Sequence, residues 1–280
     1  MATTRDVPPD LAHHLERVQA HLGGFVQRVH YLDSVGSTND EAARLAASGA
    51  PEGTVVIAAE QTAGRGRRGR QWHSPSGAGI YLSLVLRPRS PGEAAEGDQS
   101  GLVTLMAGSA AAEAVEAAEG LRAAVKWPND LVVERHVAGQ VERRKLAGIL
   151  AEGAAAGKSL QHIVLGIGIN LRASAYPPEL ADHVTSIERE TGRPVDGARL
   201  VAALLVQLAH GRADLLGGRA RAVLDRWRAR ATASIGRLVS WHDHRGVLTG
   251  VTTGIDDTGA LLVDTPGGVE RIVAGEVSWH

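Results

Sequence analysis

The chain has 280 residues, 44% hydrophobic and 22% charged, the make-up of a globular protein of one large or two unequal units and not of a disordered or fibrous chain. Its 30 Lys and Arg against 31 Asp and Glu leave a net charge of -1, which argues against a protein whose main task is coating nucleic acid. Cysteine is absent, which excludes a disulfide framework, a thiolate nucleophile and a cysteine zinc site. No apolar run approaches the about 18 residues of a membrane span, and Met1 to Asp10 holds no apolar leader, so we expect a cytoplasmic protein that does not engage a membrane. With one Phe and two Met, the core must rest on Val, Leu, Ile and Ala.

Along the chain, Asp10 to Leu22 sets Leu11, Leu15, Val18 and Leu22 at helical spacing, and Phe25 to Leu32 reads as a strand. The stretch before that strand is too short for a DNA-binding helical domain. Ser37-Thr38-Asn39-Asp40-Glu41 offers a capping box, Thr38 with Glu41, for a helix to about Ser48. A strand over Thr54 to Ala59 then leads into Gly64-Arg65-Gly66-Arg67-Arg68-Gly69-Arg70-Gln71-Trp72, four arginines and three glycines in seven residues followed by an aromatic. Glycines let backbone amides approach an anion, guanidinium forks bind phosphate or carboxylate, and the indole offers a stacking face. The loop also spells G-x-G-x-x-G, but Pro75 and Gly77 prevent a helix after it and no acid lies between Gln61 and Pro91, so the dinucleotide fingerprint fails.

Gly79 to Leu86 is a strand, Arg87 to Gly101 a surface connection, and Leu102 to Glu119 an Ala-rich helix. Ala123 to Lys126 is a strand entering the Trp127-Pro128-Asn129-Asp130 turn. Leu131 to Glu134 and Lys145 to Glu152 read as a hairpin pair around a flexible polar excursion, Arg135 to Arg144. Gly153 to Ser159 has one residue too few for a P-loop and reads as a hairpin turn before a strand over His162 to Ile169. Helices follow over Gly197 to Leu216 and Arg219 to Ala231, the five arginines of the second reading as a solvated face. Beyond Thr232, short strands over Leu238 to Trp241, Val247 to Ile255, Ala260 to Val263 and Val269 to Val273 suggest a small β-barrel-like unit. His242 and His244 share a strand face there, without a cysteine, and we expect no metal site from them. The mixture of helices and hairpins indicates α+β.

Three further clusters bear on chemistry. Asn129 and Asp130 after Pro128 could simply satisfy their own turn, or face a site in which Asp130 meets Mg²⁺ on a nucleotide phosphate. Lys145 is either a solvated strand-edge residue or a cation for an acid or phosphoryl group. Gly166-Ile167-Gly168-Ile169-Asn170 is either close packing or a glycine wall for a flat ligand.

Taken together and in this order, Ser37-Thr38-Asn39, Glu60 to Trp72, Lys126 to Leu131, Lys145 to Leu150 and Gly166 to Asn170 resemble the biotin protein ligases, over roughly Phe25 to His280. The resemblance is to the monofunctional type, without the N-terminal winged helix of the ligase-repressors. It implies a central mixed β-sheet flanked by helices, of the class II aminoacyl-tRNA-synthetase-like kind, over residues 1–231, and an SH3-like β-barrel over 232–280. It also implies an ATP-dependent reaction through biotinyl-5′-AMP onto a lysine of a biotin carboxyl carrier domain, with Mg²⁺ as activator and no tightly bound prosthetic group. A lipoate ligase of the same fold and a nucleic-acid-binding module are the alternatives. Site residues implied for biotin are Ser37, Thr38, Asn39, Gln61, Gly64, Arg65, Gly66, Arg67, Lys145, Gly148 and Gly168, with Lys145 and Arg67 catalytic. For the nucleotide they are Arg65, Arg67, Arg70, Trp72, His73, Asn129 and Asn170, with Asp130 toward Mg²⁺. The partners expected are small molecules and the carrier, with no nucleic acid or membrane, for a monomer or weak homodimer. Glycines among four repelling arginines lead us to expect a loop poorly ordered without an anion and ordered over the adenylate.

Overall fold

The structure is a computed structural model that describes residues 4–88, 99–137, 139–157, 159–243, 246–273 and 277–280. Its first half runs β1 (Thr4–Arg5), α1 (Pro9–Leu22), β2 (Arg28–Val35), α2 (Thr38–Ala47), β3 (Thr54–Gln61), β4 (Gly79–Leu86), α3 (Gln99–Glu119), β5 (Ala124–Lys126), β6 (Asp130–Val137) and β7 (Gln140–Ala156). It continues through β8 (Ser159–Asn170), α4 (Ile187–Thr191), α5 (Gly197–Leu216), α6 (Ala220–Arg228), β9 (Leu238–Asp243), β10 (Gly246–Ile255), β11 (Leu261–Thr265), β12 (Gly268–Ile272) and β13 (Val277–Trp279).

An eight-stranded sheet has the order β1-β2-β3-β4-β8-β7-β6-β5, mixed because β2 and β3 are parallel while the other neighbours are antiparallel. Its central strands alternate between two buried faces. Val55 and Ile57, Ile80 to Leu86 at every second position, and Ile163, Leu165, Ile167 and Ile169 turn toward a core shared with α1, α3, α5 and α6. Val56, Ala58, Val85 and Val164 turn the other way and pack under Ala42 and Ala46 of α2. Strands covered on both sides explain the continuous apolar runs that the sequence shows.

A second, antiparallel sheet has the order β12-β11-β10-β9-β13. It is the small SH3-like unit expected, with β13 as an unforeseen strand. Among the described residues β12 and β13 are the two ends of its ladder. Its buried Val239, Trp241, Ile255, Leu261, Val263 and Ile272 belong to the same cluster as the large sheet's core, so one hydrophobic interior serves both.

Other expectations need correction. The capping box does not form: Ser37 is the N-cap of α2, and the Thr38 hydroxyl donates to Gln61 Oε1 at 3.0 Å instead. Glu41 pairs with Arg44. The polar excursion instead continues β6 and β7 as a paired ribbon as far as Val137 and Gln140, in which Glu134 pairs with Arg143 across the strands at 2.9 Å while Arg135 reaches Glu190 of α4 at 2.7 Å; charge pairs help sustain a ribbon that lacks an apolar face. The arginines of α6 and just after it are not simply solvated. Arg226 pairs with Glu113 and Arg230 reaches Glu116 at 2.5 Å, making an ionic seam to α3. Much of the expected Arg87 to Gly101 connection, and His244, lie outside the described residues.

At the β10–β11 turn, Asp256 accepts hydrogen bonds from the Thr258 amide and hydroxyl, both at 2.8 Å, and the Ala260 amide at 3.0 Å, and it pairs with Arg271. Burial raises its pKa, but Arg271 and these donors outweigh that and hold it down to about 2. A carboxylate depressed by folding contributes stability above the unfolded value of about 4, which is lost as pH falls through the folded value. Asp256→Asn should therefore cost about 1 kcal/mol at neutral pH, with the deficit narrowing below about pH 4. Denaturant melts across that range check this, and a deficit independent of pH would contradict it.

Candidate functional site

The site is built on the α2 side of the large sheet. There β8 presents Gly166, Gly168 and Asn170, β7 presents Gly148, Leu150 and Glu152, and β4 presents Tyr81 and Ser83. Gly148 lies directly opposite Gly168, with Tyr81 next in the row on one side and Asp130 on the other. Two adjacent glycines in register leave a trough without side chains, and Trp72 lies in it. A Cβ on Gly168 would stand 2.5 Å from the indole Nε1, and one on Gly148 would stand 3.0 Å from its Cζ3. In the next row a Cβ on Gly166 would meet Asn39 Oδ1 at 2.1 Å, so the first turn of α2 rests on bare backbone.

A buried chain of hydrogen bonds forms one wall. The Ser83 hydroxyl donates to Asn39 Oδ1 at 2.6 Å and lies 2.8 Å from Thr38 Oγ1. Thr38 donates to Gln61 Oε1 through its amide at 2.8 Å and its hydroxyl at 3.0 Å, Gln61 Nε2 donates to Ser74 Oγ at 2.9 Å, and Ser74 donates to the Trp72 carbonyl at 3.0 Å. Sequence reasoning missed Ser74 and Ser83, whose residue type carries no signal outside this geometry. Trp72 Nε1 is itself buried without a hydrogen-bond partner, which leaves a donor for a ligand acceptor inside the pocket.

The arginine loop folds over the trough as a compact turn. Arg65 and Gln71 form a bridge, Gly66 N–H donates to the Arg70 carbonyl at 2.6 Å, and Arg68 takes the left-handed φ of 57° between them. Arg67 donates to Asn129 Oδ1 at 3.2 Å, and Asn129 Nδ2 donates to the Ile149 carbonyl at 2.9 Å. Arg65 is engaged with Glu152 and Asp40.

Lys145 reaches the same pocket through an irregularity. Leu131 and Val132 of β6 face Ala147 and Lys145, leaving Leu146 as an extra residue in β7. Such a bulge re-aims side chains, and it puts the Lys145 Nζ within 3.3 Å of a Cβ position on Gly148, although strict alternation would place the two residues on opposite faces. Its Nζ pairs with Asp130 at 2.6 Å and lies 5.4 Å from the Trp72 ring centroid. Lys126 Nζ stands 5.3 Å from the ring of Trp279, contributed by β13. Burial pushes the Lys126 ammonium below its ordinary pKa, with Lys145 and Arg143 adding to the effect and Asp130 opposing it.

These elements enclose a cavity of about 340 Å³. Of the residues that sequence reasoning selected, Ser37, Thr38, Asn39, Gln61, Arg65, Gly66, Arg67, Arg70, Trp72, His73, Asn129, Asp130, Lys145, Gly148, Gly168 and Asn170 all line it. Gly64 stands behind the wall, where a Cβ would come 2.4 Å from the Trp72 carbonyl oxygen. Trp72 rests on the glycine wall, and Asn170 is buried with its amide donating to the Thr185 carbonyl at 3.0 Å. Six cations, Arg65, Arg67, Arg68, Arg70, Lys126 and Lys145, line the cavity against the single carboxylate of Asp130, which suits an anionic ligand. Asp130 is occupied by Lys145, and among the described residues no group of three or more His, Cys, Asp and Glu is placed to hold a metal ion.

Residues 31–170 match the biotin/lipoate A/B protein ligase family, and residues 235–279 match the biotin protein ligase C-terminal domain. The chain is 34% identical over 253 residues to the bifunctional ligase/repressor BirA of Bacillus spizizenii, covering 90% of this chain and 74% of that protein. It is 36% identical over 247 residues to the biotin–[acetyl-CoA-carboxylase] ligase of Paracoccus denitrificans, covering 86% and 96%. Its fold is similar to the biotin protein ligase of Aquifex aeolicus in complex with biotin and ATP, with TM-score 0.74, 27% identity and coverage of 91% and 99%.

The fit of indole to glycine gives a direct test. Gly168→Ala should lower stability by about 1–3 kcal/mol through overpacking, measured by denaturant melts, and much of that loss should vanish in a Trp72→Ala background. A penalty that persists unchanged without the indole would show that Trp72 is not what the added methyl meets.

Proposed function

The chain belongs to the biotin/lipoate A/B protein ligase family, and from that premise we propose that the pocket activates biotin with ATP and passes it to a lysine of a carrier domain. The enzyme is an ATP-dependent biotin ligase. Lipoate is disfavoured as the acyl substrate, because the relatives are named for biotin. The observation that carries the reading is the six-to-one excess of cations over carboxylate around a glycine-floored cavity.

In the first step a biotin carboxylate oxygen attacks the α-phosphorus of ATP, the bond to the bridging oxygen breaks, and pyrophosphate leaves. Two anions must meet, so the site has to screen repulsion and stabilise charge on the phosphoryl group. Lys145, at the end of the glycine trough, is the residue we assign to the biotin carboxylate and the α-phosphate, with Arg67 on the phosphates. Ser37, Thr38, Asn39 and Gln61 take the polar edge of the biotin ring, and Gly64, Arg65, Gly66, Gly148 and Gly168 shape its surroundings. Arg70, Trp72, His73, Asn129 and Asn170 take the nucleotide. In the second step the ε-amine of a carrier lysine attacks the acyl carbon, AMP leaves, and the amine gives up a proton. No enzyme-bound covalent intermediate is needed, in keeping with a chain without cysteine.

Mg²⁺ would be held by the triphosphate, which supplies ligands of its own, with Asp130 as the protein carboxylate toward it. The carrier domain as acceptor, a monomer or weak homodimer, a cytoplasmic location, and a catalytic unit over 1–231 with a small unit over 232–280 complete the proposal.

Incubation with radiolabelled biotin, ATP, Mg²⁺ and an apo-carrier domain should label the carrier, unlabelled lipoate should compete poorly, and absence of transfer at saturation would overturn the reading. Lys145→Ala should slow adenylate formation in single-turnover assays by on the order of 10² to 10³; a change under about threefold would remove Lys145 from that role.

A further inference from the structure

Glu152 is a carboxylate on the face of the sheet that carries a site for anions, yet it does not line the cavity. Its two oxygens are taken by one fork: Arg65 donates through NH1 to Oε1 at 2.9 Å and through NH2 to Oε2 at 2.7 Å. Oε2 also accepts from Asn39 Nδ2 at 2.8 Å. Asn39 in turn is seated on Gly166 and held by Ser83, so Glu152 is fixed to the floor of the sheet. Arg65 NH2 is further paired with Asp40 at 2.8 Å, on the first turn of α2. The guanidinium at the root of the arginine loop is thus committed to two carboxylates outside the pocket.

We infer that Glu152 is a positioning residue that clamps the root of the arginine loop through Arg65, and that Arg65 acts chiefly as the loop's anchor rather than as a phosphate ligand. The loop carries several like charges and three glycines, so it closes over the trough only if its entry is held. A bidentate guanidinium–carboxylate pair fixes direction as well as distance, and it sets the first bridge of the turn, Arg65 to Gln71, above the glycine row. The clamp's effect on the reaction rests on the function proposed above: it slows escape of the acyl-adenylate before a carrier lysine arrives, while leaving the cations that meet the phosphates in place.

The test uses the full chain as Glu152→Gln, Arg65→Gln, the double variant and Asp40→Asn. Two quantities are read: tryptic cleavage within residues 65–70, mapped by mass spectrometry, and dissociation of biotinyl-5′-AMP formed in place from biotin and ATP. Glu152→Gln should raise both by about five- to tenfold, with the rate of adenylate formation at saturating substrates changed less than about threefold. Asp40→Asn should act in the same direction more weakly, and the double variant should be no worse than Arg65→Gln alone. Cleavage and dissociation within about twofold of wild type, additive effects in the double variant, or cleavage spread through the whole chain would each overturn the clamp. Wild-type protein that forms no biotinyl-AMP would instead refute the proposed function, and the proteolysis arm would still decide whether Glu152 holds the loop.

Discussion

The site exists because three neighbouring positions on the sheet have no side chain. Gly148 and Gly168 face each other across β7 and β8, and Gly166 adjoins them. Any larger residue there would collide with Trp72 or Asn39, so the trough, the seat of α2 and the position of the indole are consequences of one constraint. The cost is borne by the surrounding layers: the opposite faces of the same strands are Ile and Leu, buried in the main core, which hold a weakened stretch of sheet in shape.

Electrostatics sets the second requirement. A pocket lined by six cations would repel itself, and the structure spreads that repulsion over specific partners. Lys145 leans on Asp130, Arg67 on the Asn129 amide oxygen, and Arg65 on carboxylates outside the cavity. Preorganised charge of this kind needs little rearrangement when an anion enters. The ring faces of Trp72 and Trp279 lie over Lys145 and Lys126 and supply attraction without a competing negative charge.

Much of this could be read from residues alone, and the failures have physical causes. The strand over Gly79 to Leu86 and the helix over Gly197 to Leu216 follow from apolar periodicity, because burial decides both. The ribbon after Glu134 escaped because charge pairs, Glu134 with Arg143 and Arg135 with Glu190, hold it in place of an apolar face. The Thr38 cap failed since tertiary contact with Gln61 claimed the hydroxyl. Lys145 could be named from its motif, but its place beside Gly148 depends on a bulge at Leu146 that period-two reasoning cannot supply. Glu152 sits in an ordinary polar stretch, and only its contact with Arg65 distinguishes it.

The wall formed by Val277 and Trp279 links the pocket to the order in which the chain is made. The arginine loop, Lys145 and the glycine strands leave the ribosome well before β13 does. A growing chain therefore possesses the cations and the floor of the chamber before it possesses this side of it, and one that stops short of β13 lacks the ring facing Lys126. Closure of the chamber on this side therefore waits until β13 has been made.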